Sequence, residues 1–251
     1  LMEKIGFSEA EIENWKEIVG KLTVVMDEDG VMSQFDGYRE LAELDWNRYR
    51  QEYDDIRRMD RILKAEGDTP DNYQLSKQAD TTMIWYILPP EEVAQVLGKM
   101  GYTVDEPYEL LRRNYEYYVQ RTSHGSTLSY VVHAAILTYL GGHEDDEWKW
   151  FMESLRSDIY DTQGGTTLEG VHCGVMAGTL QLIVDTFAGL KVTPEQLLVQ
   201  PDLPEGWGRL AFSFLFRGNR YRLSAGPSEV AVALSEEGSG SVRVTVDGES
   251  D

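Results

Sequence analysis

The sequence predicts a mainly α-helical protein that ends in a small antiparallel β-domain. Three observations carry this reading. Apolar residues recur at helical spacing from the start to about Leu190, they alternate with polar ones after Leu197, and nearly all-apolar helical segments alternate with amphipathic ones in the first part. Inner and outer helices joined by short turns are what a helical hairpin array or a double-layered helical barrel requires.

Each element has its own warrant. Ser8-Glu9-Ala10-Glu11 reads as a capping box, followed by one apolar stripe through Ile12, Trp15, Ile18, Val19 and Leu22. Residues 39–65 are charge-rich but carry Leu41, Leu44, Trp46, Tyr49, Tyr53, Ile56 and Met59, the pattern of an exposed helix or ordered loop covering something. Met83-Ile84-Trp85-Tyr86-Ile87-Leu88 is apolar on every side and predicts an inner helix stopped by Pro89-Pro90. Pro90 with Glu91 and Glu92 opens the next helix, which Gly101 closes. Further helices are expected at 105–118, 127–140 (ending in Gly141-Gly142), 144–156 and 170–188, some six or seven in all. In the last of these, Gly170, Gly174, Ala177, Gly178 and Ala188 predict close approach of neighbouring backbones. Asp202-Leu203-Pro204-Glu205-Gly206-Trp207 links to four strands, marked by Leu210/Phe212/Phe214/Phe216, Tyr221/Leu223, Val230/Val232/Leu234 and Val242/Val244/Val246, with a hairpin turn at Gly218-Asn219.

Composition narrows the function. In 251 residues, 44 acidic against 23 basic side chains give a net charge of −21, which repels nucleic acid and anionic membrane surfaces. The single cysteine, Cys173, excludes an internal disulfide framework and a multi-cysteine zinc site. No apolar run approaches the roughly 20 residues of a membrane span. The first residues show no basic region followed by an apolar core, so no signal peptide and a cytoplasmic location are expected. A chain that begins with Leu1 is expected to be a processed or cut piece.

Three polar clusters stand where loops should meet inner helices. In Ser76-Lys77-Gln78-Ala79-Asp80, a lysine and an amide could hydrogen-bond sugar hydroxyls, or could be ordinary surface residues of a helix start. Arg121-Thr122-Ser123-His124-Gly125-Ser126-Thr127-Leu128-Ser129 puts an imidazole, several hydroxyls and a glycine ahead of a helix, which could make an anion site or be an N-cap with ordinary turn residues. Capping explains one or two of those hydroxyls but not their density. Asp161-Thr162-Gln163-Gly164-Gly165-Thr166-Thr167-Leu168-Glu169-Gly170-Val171-His172 repeats the design with a second histidine. Asp27-Glu28-Asp29-Gly30 resembles a calcium loop only superficially, because the later ligands are missing. Glu144-Asp145-Asp146-Glu147 reads as the charged first turn of a helix, and Trp148 and Trp150 as core or interface. No glycine-rich nucleotide fingerprint occurs, and histidines and carboxylates lack metal-ligand spacing, so neither a metal nor an organic cofactor is expected.

The stretch from Tyr117 through Arg121, Ser123, His124, Gly125, Ser126 and Leu128 to Ser129, together with Lys77-Gln78-Ala79-Asp80 and Gly170-Val171-His172, resembles glycoside hydrolase family 65, which holds maltose, kojibiose and trehalose phosphorylases and related hydrolases. The segment 161–172 is most similar to the trehalose-related bacterial branch. Three motifs in the right order extend the resemblance over essentially the whole chain, including Leu203-Pro204-Glu205-Gly206-Trp207 and the C-terminal strands. It implies part of an (α/α)6 helical barrel over residues 1–190 and a C-terminal β-sandwich-like domain over 191–251. It also implies inverting attack by inorganic phosphate on an α-glucosidic carbon. Lys77 and Gln78 would contact the glucosyl unit, and Ser123, His124, Gly125, Ser126 and His172 would line the phosphate position. Many members carry an acid where this chain has Gly125; an acid would suit a dianion poorly, so its loss does not argue against phosphate.

The departures are equally informative. The family's general acid is a glutamate that would lie upstream of this chain, and half of the barrel helices and an N-terminal β-sandwich are absent from it. The chain is therefore expected to be the C-terminal part of the enzyme, inactive alone. Its partners would be the missing N-terminal part, a further copy of itself, phosphate and an α-linked glucose disaccharide. Exposed inner helices of a half-barrel call for such a covering partner. In the alternative hydrolase reading, Glu169 is the nearest carboxylate that could activate water, or it is simply a helix-start carboxylate. A carbohydrate-binding fragment without catalysis is the competing class.

Overall fold

The computed structural model describes residues 5–162, 165, 167–193, 196–235 and 243–246, and leaves the side chain of Glu169 outside that description. Among the described residues, nine α-helices run in order: α1 Glu9–Val19, α2 Trp46–Glu52, α3 Met59–Ala65, α4 Met83–Ile87, α5 Pro90–Lys99, α6 Pro107–Val119, α7 Leu128–Leu140, α8 Glu144–Arg156 and α9 Cys173–Leu182. Six strands follow among them: β1 Leu190–Val192, β2 Gln196–Val199, β3 Leu210–Phe216, β4 Asn219–Gly226, β5 Glu229–Leu234 and β6 Arg243–Val246. The count exceeds the six or seven helices expected because the 39–65 stretch forms both α2 and α3, packed round Leu44, Tyr49, Met59 and Leu63.

The capping box forms: the Ser8 amide donates to Glu11 Oε2 at 2.8 Å and the Glu11 amide to Ser8 Oγ at 3.2 Å. The stripe it introduces does not bury, since α1 has no buried residue and Trp15, Ile18 and Leu22 face solvent. The all-apolar segment gives only a short helix, α4, in which Trp85 is 0% exposed but Ile87 is 68% exposed. The expected 170–188 helix is three pieces: a 3-10 turn at Thr167–Glu169, then α9, then a π-turn at Ile183–Phe187. Of its small residues, Gly178 serves close approach, because a Cβ there would lie 2.6 Å from Val131 Cγ1. Gly174 and Ala177 face outward.

The central core joins Trp85, Val93, Leu111, Val132 and Ile136 from α4, α5, α6 and α7. A second cluster ties α7, α8 and α9 to the β-region through Val131, Phe151, Val175 and Phe187, with Trp207 lying 5.4 Å from Phe187. Burial on this scale, at about 25 cal/mol per Å² of apolar surface, holds the linker against the helices.

The β-region differs from the single antiparallel sheet expected. Its described residues form two three-stranded sheets, β1-β2-β6 and β3-β4-β5. The second is the antiparallel meander read from the alternation, but β2 pairs with β6 in parallel. The β3–β4 turn is Arg217-Gly218, both left-handed at φ 50° and 78°, so Asn219 is already strand. Val242 lies outside the described residues. Leu190, Leu197, Val199, Leu223 and Ala225 from the two sheets share one core.

Candidate active-site loops

The first two clusters, forty residues apart, run side by side as a short parallel ladder. The Ser76 amide donates to Arg121 O at 2.8 Å, the Ser123 amide to Ser76 O at 2.9 Å, and the Gly125 amide to Lys77 O at 2.8 Å. Ser129 Oγ accepts from the Ala79 amide at 3.1 Å and pins the same ladder to the first turn of α7. Buried backbone groups need partners, and this ladder supplies them for both loops at once.

Gly125 is where the ladder is tightest. A Cβ at that position would lie 2.6 Å from Arg57 O and 3.2 Å from Lys77 Cγ. The glycine therefore lets the Arg57 backbone and the Lys77 side chain close over the loop. Lys77 is exposed, whereas Gln78 is half-buried and gives its amide to Asp80 Oδ1 at 2.8 Å. Ser123 is buried; Ser126 is half-buried and its Oγ accepts from the Leu128 amide at 3.4 Å.

His124 has a left-handed backbone at φ 54°, an arrangement that the surrounding structure must hold in place. Its ring lies 4.7 Å from Trp150 and 5.1 Å from the ring of His133. Burial, reinforced by the cations Arg57 and Lys149, pushes its pKa down to about 4, so at neutral pH it is an uncharged imidazole. Such a ring can donate one hydrogen bond to an anion, while Lys149 and Lys77 supply positive charge around it, joined by Arg57, whose charge is shared with Asp55 at 3.7 Å and Glu153 at 3.8 Å.

The second histidine is held differently. His172 precedes α9, its amide donates to Asp158 Oδ2 at 2.8 Å, and its Nδ1 lies 2.5 Å from Asp158 Oδ1. Upstream, Asp161 organises the loop by accepting from the Gly165 amide at 2.7 Å and from the Thr167 amide and hydroxyl. Arg57 connects the two histidine loops: its carbonyl abuts Gly125 and its Nη1 donates to Thr162 O at 2.8 Å. Glu169, the alternative water-activating base, has its side chain outside the described residues.

Sequence reasoning missed Arg57, Lys149, Asp158 and His133. Arg57 sits in a stretch read only as a cover, and nothing in the spacing of Asp158 and His172 marks them as a pair. His133 did leave a signal, as the one imidazole inside the apolar run of α7. A cavity of about 670 Å³ lies elsewhere, between the helices and the β-region, lined by Glu92, Glu147, Asp185 and Asp202. Burial, with Asp202 and Glu144 nearby, pushes Glu147 up to about 7. With Lys191 and His143 beside five carboxyl groups, the lining of that cavity is predominantly acidic.

Comparison with known proteins places the chain in a family. Residues 2–181 match the glycosyl hydrolase family 65 central catalytic domain, and residues 190–250 match the family 65 C-terminal domain. The chain belongs to glycosyl hydrolase family 65. It is 43% identical, over 94% of its length and 17% of the relative's, to an uncharacterized glycosyl hydrolase of Mycobacterium tuberculosis. It is 42% identical to trehalose 6-phosphate phosphorylase of Lactococcus lactis, over 84% of this chain and 27% of that protein. It is 32% identical to kojibiose phosphorylase of Thermoanaerobacter brockii, over 95% and 28%. A solved structure from the human microbiome, assigned as a kojibiose phosphorylase, shares the fold at a TM-score of 0.70 and 22% identity, over 99% of this chain and 33% of that one. The chain thus spans less than a third of the length of these curated relatives. No helix among the described residues is long and apolar enough to cross a membrane.

Proposed function

We propose that this chain is the C-terminal part of an inverting α-glucoside phosphorylase. Residues 1–190 would form half of an (α/α)6 catalytic barrel and residues 191–251 its C-terminal β-domain. The observation that carries the reading is the ladder that lays Lys77 over Gly125, so that a sugar-facing and an anion-facing loop share one rigid frame. Lys77 and Gln78 hold the glucosyl unit. Ser123, His124, the Gly125 backbone, Ser126 and His172 receive inorganic phosphate, with Arg57 and Lys149 adding positive charge.

In the reaction, a phosphate oxygen attacks the anomeric carbon from the face opposite the leaving group. The glycosidic C–O bond breaks, and a carboxylic acid in the upstream part of the protein protonates the departing oxygen. Inversion of an α-linkage gives β-glucose 1-phosphate and a free sugar. The protein's work here is positioning and charge complementarity, which is where phosphate chemistry gains most. Phosphorolysis is favoured over hydrolysis by the 121–129 loop, which carries no carboxylate to activate water and several groups that suit an anion. The relatives' names (trehalose 6-phosphate, kojibiose and trehalose phosphorylases) define the substrate panel.

The test is product analysis with these disaccharides and maltose, with and without phosphate, on this chain and on the native-length protein. Phosphate-dependent β-glucose 1-phosphate from the longer protein alone, read by ³¹P NMR, is expected. Phosphate-independent release of glucose would overturn the phosphorylase and bring forward Glu169 as base. Turnover by this chain alone would refute the upstream acid, and sugar binding without turnover by either protein would leave a carbohydrate-binding fragment.

A further inference from the structure

We propose that His133 is a positioning residue for the anion-receiving loop: its ring, perpendicular to that of His124 inside a cage of Tyr115, Tyr130 and Trp150, fixes the plane in which His124 meets phosphate. The proposal rests on the phosphate reading of that loop.

His133 stands in the middle of α7, among Val131, Val132, Ala134, Ile136 and Leu137, each no more than 1% exposed. It is itself 0% exposed, and neither ring nitrogen has a hydrogen-bond partner among the described residues. Packing alone would place an aliphatic side chain here, because desolvating two polar nitrogens without partners is unfavourable. A local rule broken this plainly points to a role outside stability.

The surroundings indicate the role. The rings of His133 and His124 lie 5.1 Å apart at 82°, those of His133 and Tyr115 5.5 Å apart at 88°, and those of His133 and Trp150 5.2 Å apart at 67°. Trp150 lies against both imidazoles, and Tyr130 stacks on it at 5.8 Å and 19°. A perpendicular pair lets an N–H of one ring address the π-face of the other, a contact an imidazole makes and an aliphatic chain does not. An imidazole donates and accepts only in its own plane, so the plane of His124 decides which phosphate oxygen it can reach. Because the His124 backbone is left-handed, local preference does not set that plane; the neighbours must. The charged groups that bear on the pair are Arg57 and Lys149, both acting on His124, whereas His133 is faced by aromatic rings and by His124.

The experiment uses the native-length protein with His133→Phe and His133→Leu, either of which removes both nitrogens while keeping the site filled. Histidine-selective ring NMR, with His124 assigned from His124→Gln, is recorded beside thermal stability and phosphate kinetics. The melting temperature should hold or rise, while the His124 ring signal loses its single fixed form. The KM for phosphate should rise about tenfold with kcat changed far less. A purely structural histidine would show the reverse, lower stability with unchanged phosphate KM, and that result overturns the proposal, as does an unaltered His124 signal. If the unsubstituted protein shows no response of His124 to inorganic phosphate, the phosphate reading falls. The effect of His133→Phe on the His124 signal then still decides the positioning claim.

Discussion

The two histidine-bearing loops have the same composition and opposite physics. Each places glycine, hydroxyls and one histidine ahead of a helix, and each contains a non-glycine residue with positive φ, His124 at 54° and Asp161 at 50°. The 121–129 loop is buried, laddered to 76–78, and holds its imidazole uncharged between cations and aromatic rings. The 161–172 loop is organised by carboxylates, with Asp161 and Asp158 accepting its amides, and it leaves Leu168 94% and Val171 66% exposed. Residues of one type in one order therefore do not define one kind of site. What packs behind them does: burial among aromatic rings holds His124 uncharged, whereas His172 is tied to Asp158 through both its amide and its ring.

The comparison can be broken first at Gly125. Gly125→Ala forces a methyl into 2.6 Å of the Arg57 carbonyl and 3.2 Å of Lys77 Cγ, so the 121–129 loop, Arg57 or Lys77 must shift out of the shared frame. Stability should fall by about 2 kcal/mol or more, and phosphate-dependent turnover of the native-length protein by about a hundredfold, both read against the parent. A variant of unchanged stability and turnover would show that the two loops need no common frame.

Acid should test the buried loop next. Because burial depresses His124 from 6.5 to about 4, the fold carries no protonation penalty from it above pH 6.5, and stability is lost as pH falls towards 4, where the unfolded chain binds the proton that the buried ring resists. The size is about 2 to 3 kcal/mol for His124, with His133 depressed in the same direction by burial. Denaturant unfolding at intervals from pH 7 to 4 should show this slope, and His124→Gln should flatten it. An equally steep slope in that variant would assign the effect to other groups.

At the second loop, Asp158→Ala leaves the His172 amide and ring without their acceptor. A loss of about 1 to 2 kcal/mol is expected, together with faster amide exchange over 165–172, while Ser76–Lys77 to Arg121–Gly125 protection stays as it was. Spread of the faster exchange into the first loop would show the two to be one unit. The smallest effect is expected from Leu168→Ser, within about 0.5 kcal/mol in this chain, because that side chain is already in water. A larger loss in the native-length protein would show that the side chain is covered there.

Much of the architecture was legible locally. Ser8 and Glu11 cap as read because capping needs only neighbours in sequence, and α5, α6, α7 and α8 stand where their periodicity and prolines or glycines put them. The meander of β3, β4 and β5 follows from alternation for the same reason. Failures occurred where a partner distant in sequence decides the outcome. Ile12, Trp15, Ile18 and Leu22 form a sound amphipathic stripe, but amphipathicity states which face wants cover and not whether anything covers it. The parallel pairing of β2 with β6, and the π-turn after α9, likewise have no local signature strong enough to read.

By itself, then, the sequence determined the division into a helical part and a strand part, the family, and which loops carry glycine, hydroxyl and histidine at a helix start. Tertiary structure decided that Lys77 closes over Gly125, that Arg57 ties one histidine loop to the other, and that His124 is neutral with His133 at right angles to it. Periodicity and capping are encoded within a few residues, whereas charge state and ring orientation depend on desolvation and contact between segments that only the folded chain brings together.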